Sequence, residues 1–238
     1  AGAPVPQAVA AQAALLRSGE VEKVIRILRR SHLVRTQGPR LSDAIEAYHD
    51  RIREAVFSHL SDAARKSLHG HLAVALEGHK GVDLERLMIH WKGAGESERA
   101  SHYAVRAAEH SQKALAFEHA ARLYAQALEL GSLTPQQRRT FLGHRALCLA
   151  NCNRGVESAQ TYLQAAQGAD ARTARGLQCR AAEQYMRSGH IDEGVAELRK
   201  VLNSEELVVV WRGVGSITPD TYGDAFGRFV SAEVKRWA

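Results

Sequence analysis

The chain opens on an apolar helix pattern over residues 5–16 and a second over residues 21–28. The pattern then changes character. Leu33-Val34-Arg35-Thr36 leans towards a strand, Gln37-Gly38-Pro39-Arg40 reads as a polar turn, and residues 44–48 make a second short strand. Two helices thus lead into a two-stranded wing. The second strand runs straight into an amphipathic helix through Tyr48-His49-Asp50-Arg51-Ile52-Arg53-Glu54-Ala55-Val56-Phe57. From residue 63 to residue 202 the spacing is helical almost throughout, with breaks at Gly81, Gly93-Ala94-Gly95, residues 131–135, Gly155, Gly168 and Gly189. At Thr134-Pro135-Gln136-Gln137 a helix start is written out: Thr as N-cap, Pro at the first helical position and a Gln placed to reach back to the cap.

Successive second helices align as Ala120, Tyr124, Ala127 and Leu128, then Ala159, Leu163 and Ala166, then Gly194, Leu198, Val201 and Leu202, at offsets of 39 and 35 residues. A small residue, a large one four later and a small or aliphatic one three after that is the tetratricopeptide pattern of a second helix. The Trp and Tyr usual in the first helix are mostly missing. Beyond residue 202 the pattern breaks. Asn203-Ser204-Glu205-Glu206 is a polar link, residues 207–211 read as a strand, and Thr218-Pro219-Asp220 starts an amphipathic helix with Tyr222, Phe226, Phe229 or Val230, Val234 and Trp237 on its apolar face. One strand and one helix make the start of an α/β unit or a terminal cap. The expected fold is mainly α, in three parts: residues 1–62, residues 63–202 of antiparallel helix pairs, and a short β-α element over residues 203–238.

Composition supports packed helices. Hydrophobic residues are 45% of the 238 and aromatics only 6%, as in helices that approach over small side chains. No apolar run approaches the ~20 residues needed to cross a bilayer, and no basic region precedes an apolar one at the start. Three cysteines, Cys148, Cys152 and Cys179, form no dense framework. A cytoplasmic protein without a membrane partner is expected. The net charge of +6 is interspersed with acids, as in Glu20-Val21-Glu22-Lys23, so charge alone does not make nucleic acid the expected partner.

The strand-to-helix junction over residues 48–57 resembles the winged-helix module that follows the ATPase core in bacterial STAND-type and AAA-like signalling ATPases. The resemblance continues through Ser61-Asp62-Ala63-Ala64-Arg65, Ile89-His90-Trp91-Lys92-Gly93-Ala94-Gly95-Glu96 and Phe117-Glu118-His119-Ala120-Ala121-Arg122-Leu123-Tyr124, which look like the helical arm after that module. It covers roughly residues 1–202. Similar segments belong to myxobacterial-type multidomain proteins in which a serine/threonine protein kinase domain precedes an ATPase and tetratricopeptide-like repeats. The resemblance implies a winged helix over residues 1–62, a superhelix of repeats, and a piece of a larger protein, in keeping with a chain that starts at Ala1. It also implies a nucleotide contact. In STAND ATPases a His-Asp pair at this junction faces the nucleotide of the preceding domain, and His49 and Asp50 occupy the matching positions. His49 would bond the β-phosphate of ADP while Asp50 capped the following helix. A partly buried structural His49 beside an N-cap Asp50 explains the same residues.

No G-x-x-x-x-G-K-[ST] loop, kinase lysine loop, H-R-D or D-F-G occurs, so the chain is expected to be catalytically silent, with no cofactor of its own and ATP or ADP held by the parent protein. His144, Cys148 and Cys152 repeat every four residues, a spacing open to zinc with Cys179 as fourth ligand but equally the core step of a helix; no metal is expected. Arg26, Arg29, Arg30 and Arg35 lie near the second helix and wing, where winged helices meet DNA, or else face solvent or the missing ATPase domain. Trp91 reads as a core wedge at a helix end. The leading expectation is a non-catalytic regulatory piece of a signalling protein, coupling a protein partner on the repeats to an ATPase domain upstream in cis. The alternative is a DNA-contacting transcriptional regulator.

Overall fold

A computed structural model describes residues 4–79, 81–204 and 207–209. The protein is mainly α-helical and falls into two compact units, the first ending at Leu133 and the second beginning at Thr134. No helix among the described residues is long and apolar enough to cross a membrane.

The first unit starts with β1 (Val5–Pro6), α1 (Gln7–Ala13), α2 (Val21–Arg30), β2 (Val34–Thr36) and β3 (Ala44–Ala47). The two-stranded wing is in fact a three-stranded antiparallel sheet of order β1-β3-β2. Val5 pairs with Ile45, and Arg35 with Glu46. Val5 and Ile45 are buried, so the third strand has a hydrophobic cause. Residues 5–16 are therefore not one helix. Pro6 sits at φ −55°, ψ 140°, an extended setting its ring favours, and the helix starts after it. Gln7 then ties helix to hairpin, its amide donating to the Gly38 carbonyl at 2.9 Å.

After β3 come α3 (Asp50–His59), α4 (Asp62–Glu77), α5 (Leu84–Ala94), α6 (Ser97–Lys113) and α7 (Phe117–Leu130). Ser61 and Asp83 cap α4 and α5 by accepting from Ala64 N and Glu85 N. The α4–α5 seam holds two imidazoles, His69 and His90, with Nδ1 atoms 3.0 Å apart. Gly93 lies within α5, not in a break, and a Cβ there would stand 2.5–2.7 Å from His69 ring atoms, so the glycine leaves room for the α4 imidazole. Trp91 is a buried wedge as expected: its Nε1–H donates to Glu77 at 2.9 Å, joining α5 to α4. The α6–α7 seam is built on Ala100, Ala104, Ala108, Ala120 and Ala127, all fully buried, with Tyr124 as the large residue among them.

The second unit comprises α8 (Pro135–Asn151), α9 (Gly155–Ala166), α10 (Ala171–Arg187) and α11 (Ile191–Leu202). Its core gathers Ala146, Ala159, Tyr162 and Ala181, with Leu163, Leu177 and Tyr185 against them. Thr134 and Gln137 form the expected reciprocal cap with Pro135 in the first turn. Residues 207–209, expected as a strand, are helical, and Val208 N donates to Ser204 O four residues back. The remainder of the expected β-α element, including the helix from Thr218, lies outside the described residues.

Six helices leave by one device. Leu15, His32, Gly95, Leu115, Asn153 and Gly189 all take left-handed φ between 53° and 85°. In each case the next residue's N–H reaches the carbonyl five residues back, as in Ala116 N to Ser111 O, Arg154 N to Leu149 O and His190 N to Tyr185 O, at 2.9–3.0 Å. The break between α6 and α7 has neither Gly nor Pro, so the glycine pattern passes over it. Leu115 is 72% exposed, so its side chain gains nothing for the strain of left-handed backbone, about 1–2 kcal/mol. Leu115→Gly is expected to raise stability by about 1 kcal/mol after the loss of chain rigidity in the unfolded state. Asn153→Gly should gain less, because Asn tolerates that conformation; urea unfolding of both variants measures the difference.

These turns set the repeat register. Leu115 to Asn153 is 38 residues and Asn153 to Gly189 is 36, so the helix pairs are α6–α7, α8–α9 and α10–α11. Equivalent inward positions are then Ala120, Tyr124, Ala127; Ser158, Tyr162, Ala165; and Gly194, Leu198, Val201, all buried except the half-buried Leu198. The sequence alignment is right for the first and third and one residue late in the second. Tyr162 is the large buried residue there, while Leu163 is half-buried. Gly155 belongs to α9, where a Cβ would come within 2.9 Å of the side chain of Ser188, the C-cap of α10.

Candidate functional site

The β3–α3 junction places His49 at the surface. Its backbone is extended, φ −139° and ψ 148°, which makes His49 itself the N-cap of α3. Asp50 is therefore not the cap. It is the first helical residue, largely exposed, and pairs with Arg53 at 3.4 Å, where its charge still favours the helix start. The His49 ring stands edge-on to Tyr48 at 4.9 Å, and Tyr48 edge-on to His32 at 5.5 Å. This row fixes the imidazole's base, and its nitrogens make no hydrogen bond among the described residues. His49 is thus exposed, not the partly buried structural residue that the sequence also allows. What the arrangement offers chemically is one oriented imidazole donor open to an external acceptor.

The arginines of α2 divide differently from their order in sequence. Arg26, Arg29 and Arg30 line one cleft of about 520 Å³ between α2 and the hairpin turn, whose far wall is Gly38, Pro39 and Leu41. The spacing i, i+3, i+4 puts three guanidiniums along one helix face. Arg35 is not part of it: across the ladder it pairs with Glu46 at 2.8 Å. The turn is held for this purpose by Asp43, which accepts from Arg40 N at 2.7 Å. Its carboxylate lies where a side chain at position 38 would be, so only glycine fits there. Sequence reasoning named the arginines but missed the wall opposite, because nothing local in Gly38-Pro39 says which helix it faces.

His144 and Cys148 lie on α8 and Cys152 is its C-cap, yet Cys148 is fully buried and Cys179, on α10, is exposed. No three His, Cys, Asp or Glu side chains are grouped to hold a metal among the described residues. Burial, then the neighbouring Cys152, pushes the Cys148 thiol up to about 11. It stays a neutral thiol and packs as a small apolar group.

With the repeats in register, equivalent exposed positions on the first helices also become visible. Arg106, His144 and Arg180 are equivalent and all exposed, as are Glu109, Leu147 and Glu183 one turn on. The off-by-one register in the second pair hides this equivalence in the sequence. No protein-family model, curated protein or solved structure matches the chain.

Proposed function

We propose that this chain is the non-catalytic regulatory and protein-interaction part of a larger bacterial signalling protein, tied to an ATPase and, through the resemblance, to a serine/threonine protein kinase. The observation that carries the reading is the three consecutive helix pairs, each turning through one geometry and repeating one small-large-small register that is buried in the first two and half-buried at Leu198 in the third. Helix pairs of this kind bury their seams and leave one face of each first helix to a ligand, and Arg106, His144 and Arg180, at equivalent positions of those helices, are exposed. The order β1-α1-α2-β2-β3 with a three-stranded sheet supports reading residues 1–62 as a winged helix, and the helix pairs support a tetratricopeptide-like arm.

In this reading a partner on the repeats is coupled to the nucleotide state of an ATPase domain upstream in cis. His49 is the contact, bonding the β-phosphate of ADP from an exposed, oriented position, and the bond favours the closed arrangement of domains until the nucleotide exchanges. A hydrogen bond to a charged group contributes about 1.5–3 kcal/mol. Replacing His49 by Ala in the intact protein is therefore expected to speed ADP release about tenfold or more, measured with a fluorescent ADP analogue. Unchanged release would remove His49 from the coupling.

A further inference from the structure

The cleft between α2 and the hairpin turn has no role in that reading, and its chemistry points elsewhere. Arg26, Arg29 and Arg30 are exposed on the helix, and none is in an ion pair or hydrogen bond among the described residues. This contrasts with Arg35, Arg53, Arg65, Arg154 and Arg187, each held by a carboxylate within 3.4 Å. Glu22 is the single acid in the lining. Across residues 17–40 there are seven Lys and Arg against two Glu, so this stretch carries +5 beside a net +6 for the whole chain. The excess positive charge is thus concentrated in the one stretch that forms α2 and its hairpin.

We infer that this cleft binds the phosphodiester backbone of duplex nucleic acid. Guanidinium is the side chain suited to phosphate, with a planar fork of donors and weak hydration. Side chains three and four apart on a helix have Cβ atoms about 5–6 Å apart, a spacing that lets three long arginines reach neighbouring phosphates of a polyanion bearing one charge per ~1.7 Å of axis. The apolar residues of the wall, Ile25, Pro39 and Leu41, present no base-reading groups, and the amide of Gln7 is already spent on Gly38. Base edges are read by Asn, Gln or bidentate Arg in a groove. With no Asn and no unspent Gln beside them in the lining, the three arginines are set to grip the backbone without choosing sequence.

The test is fluorescence anisotropy of a labelled duplex of random sequence, titrated with the full chain from low to physiological salt. Wild type is expected to bind at low salt, with affinity falling steeply as salt rises. Arg26→Ala/Arg29→Ala/Arg30→Ala should bind at least tenfold more weakly, with a salt dependence shallower by roughly 0.9 for each phosphate no longer neutralised. Arg35→Ala, whose partner is Glu46, should bind like wild type. Circular dichroism of the triple variant should be unchanged, since all three side chains are exposed. No binding at low salt, or equal binding by the triple variant, overturns the assignment. So does displacement of the duplex by inorganic triphosphate at the same phosphate concentration, which would make the cleft a small-polyphosphate pocket.

Discussion

Trp91→Ala should cost the first unit about 3–5 kcal/mol, the range for truncating a buried aromatic. Trp91 is 3% exposed, and two contacts hold its ring while a third bond shares its acceptor. Its Nε1–H donates to Glu77 on α4 at 2.9 Å. Tyr103 on α6 donates to the same carboxylate oxygen at 2.8 Å, and burial, then this bond, holds the Tyr103 phenol above its ordinary value. From the outside, the Arg99 guanidinium covers the indole at 4.4 Å from the ring centre. One side chain thus clamps α4, α5 and α6 through a single acceptor. Because a domain's whole stability is about 5–15 kcal/mol, the variant should unfold at much lower urea. Trp91→Phe keeps most of the packing and loses the donor, so a smaller loss of about 1–2 kcal/mol is expected. Urea unfolding followed by circular dichroism separates them. A loss below about 1 kcal/mol for the Ala variant would show that the seam closes without the indole.

What the sequence made legible follows from how local each cause is. The Thr134–Gln137 cap was readable because both partners lie within one turn. Helix pairs were readable from periodicity, but their register was not. Ser158-Tyr162-Ala165 and Ala159-Leu163-Ala166 both satisfy small-large-small, and only the packing of α9 chooses Tyr162 as the buried one. The turn at Leu115 was invisible because Leu is not a left-handed residue. Pairing of the flanking helices forces it there. Likewise Asp50 is the expected cap by residue type, yet the extended backbone falls one residue earlier and gives that place to His49.

The candidate sites divide along the same line. His49 was found because a strand-to-helix junction is a local signal. The arginine cleft was found only in part, since α2 supplies one wall and a hairpin turn further along the chain supplies the other. Charge counted along the chain places +5 within residues 17–40 but does not say which of those side chains share a surface. The fold makes one by stacking α2 beside the hairpin that follows it.

Acid should unfold the first unit through its histidine pair. Of two neutral imidazoles with Nδ1 atoms 3.0 Å apart, one must carry the shared proton and the other accept it. His90 is 5% exposed. Burial first, then His69 and more weakly Arg86, lowers its pKa from 6.5 to about 4, and burial lowers His69 as well. The unfolded chain takes up the proton near 6.5 while the folded chain resists to about 4. The stabilisation is therefore fully present above pH 6.5 and is lost as the pH falls towards 4. A tenfold change in proton affinity is worth about 1.36 kcal/mol, so His90 alone accounts for about 3 kcal/mol over that window. His90→Gln keeps a group that can bond His69 but does not titrate. Carboxylates titrate in both proteins and cancel, so the stability of wild type minus that of the variant, from urea unfolding, should fall by about 3 kcal/mol between about pH 7 and pH 4. A difference that stays flat would mean that the pair already holds a proton at neutral pH, and the α4–α5 seam would then be closed by a charged imidazole instead of a neutral one.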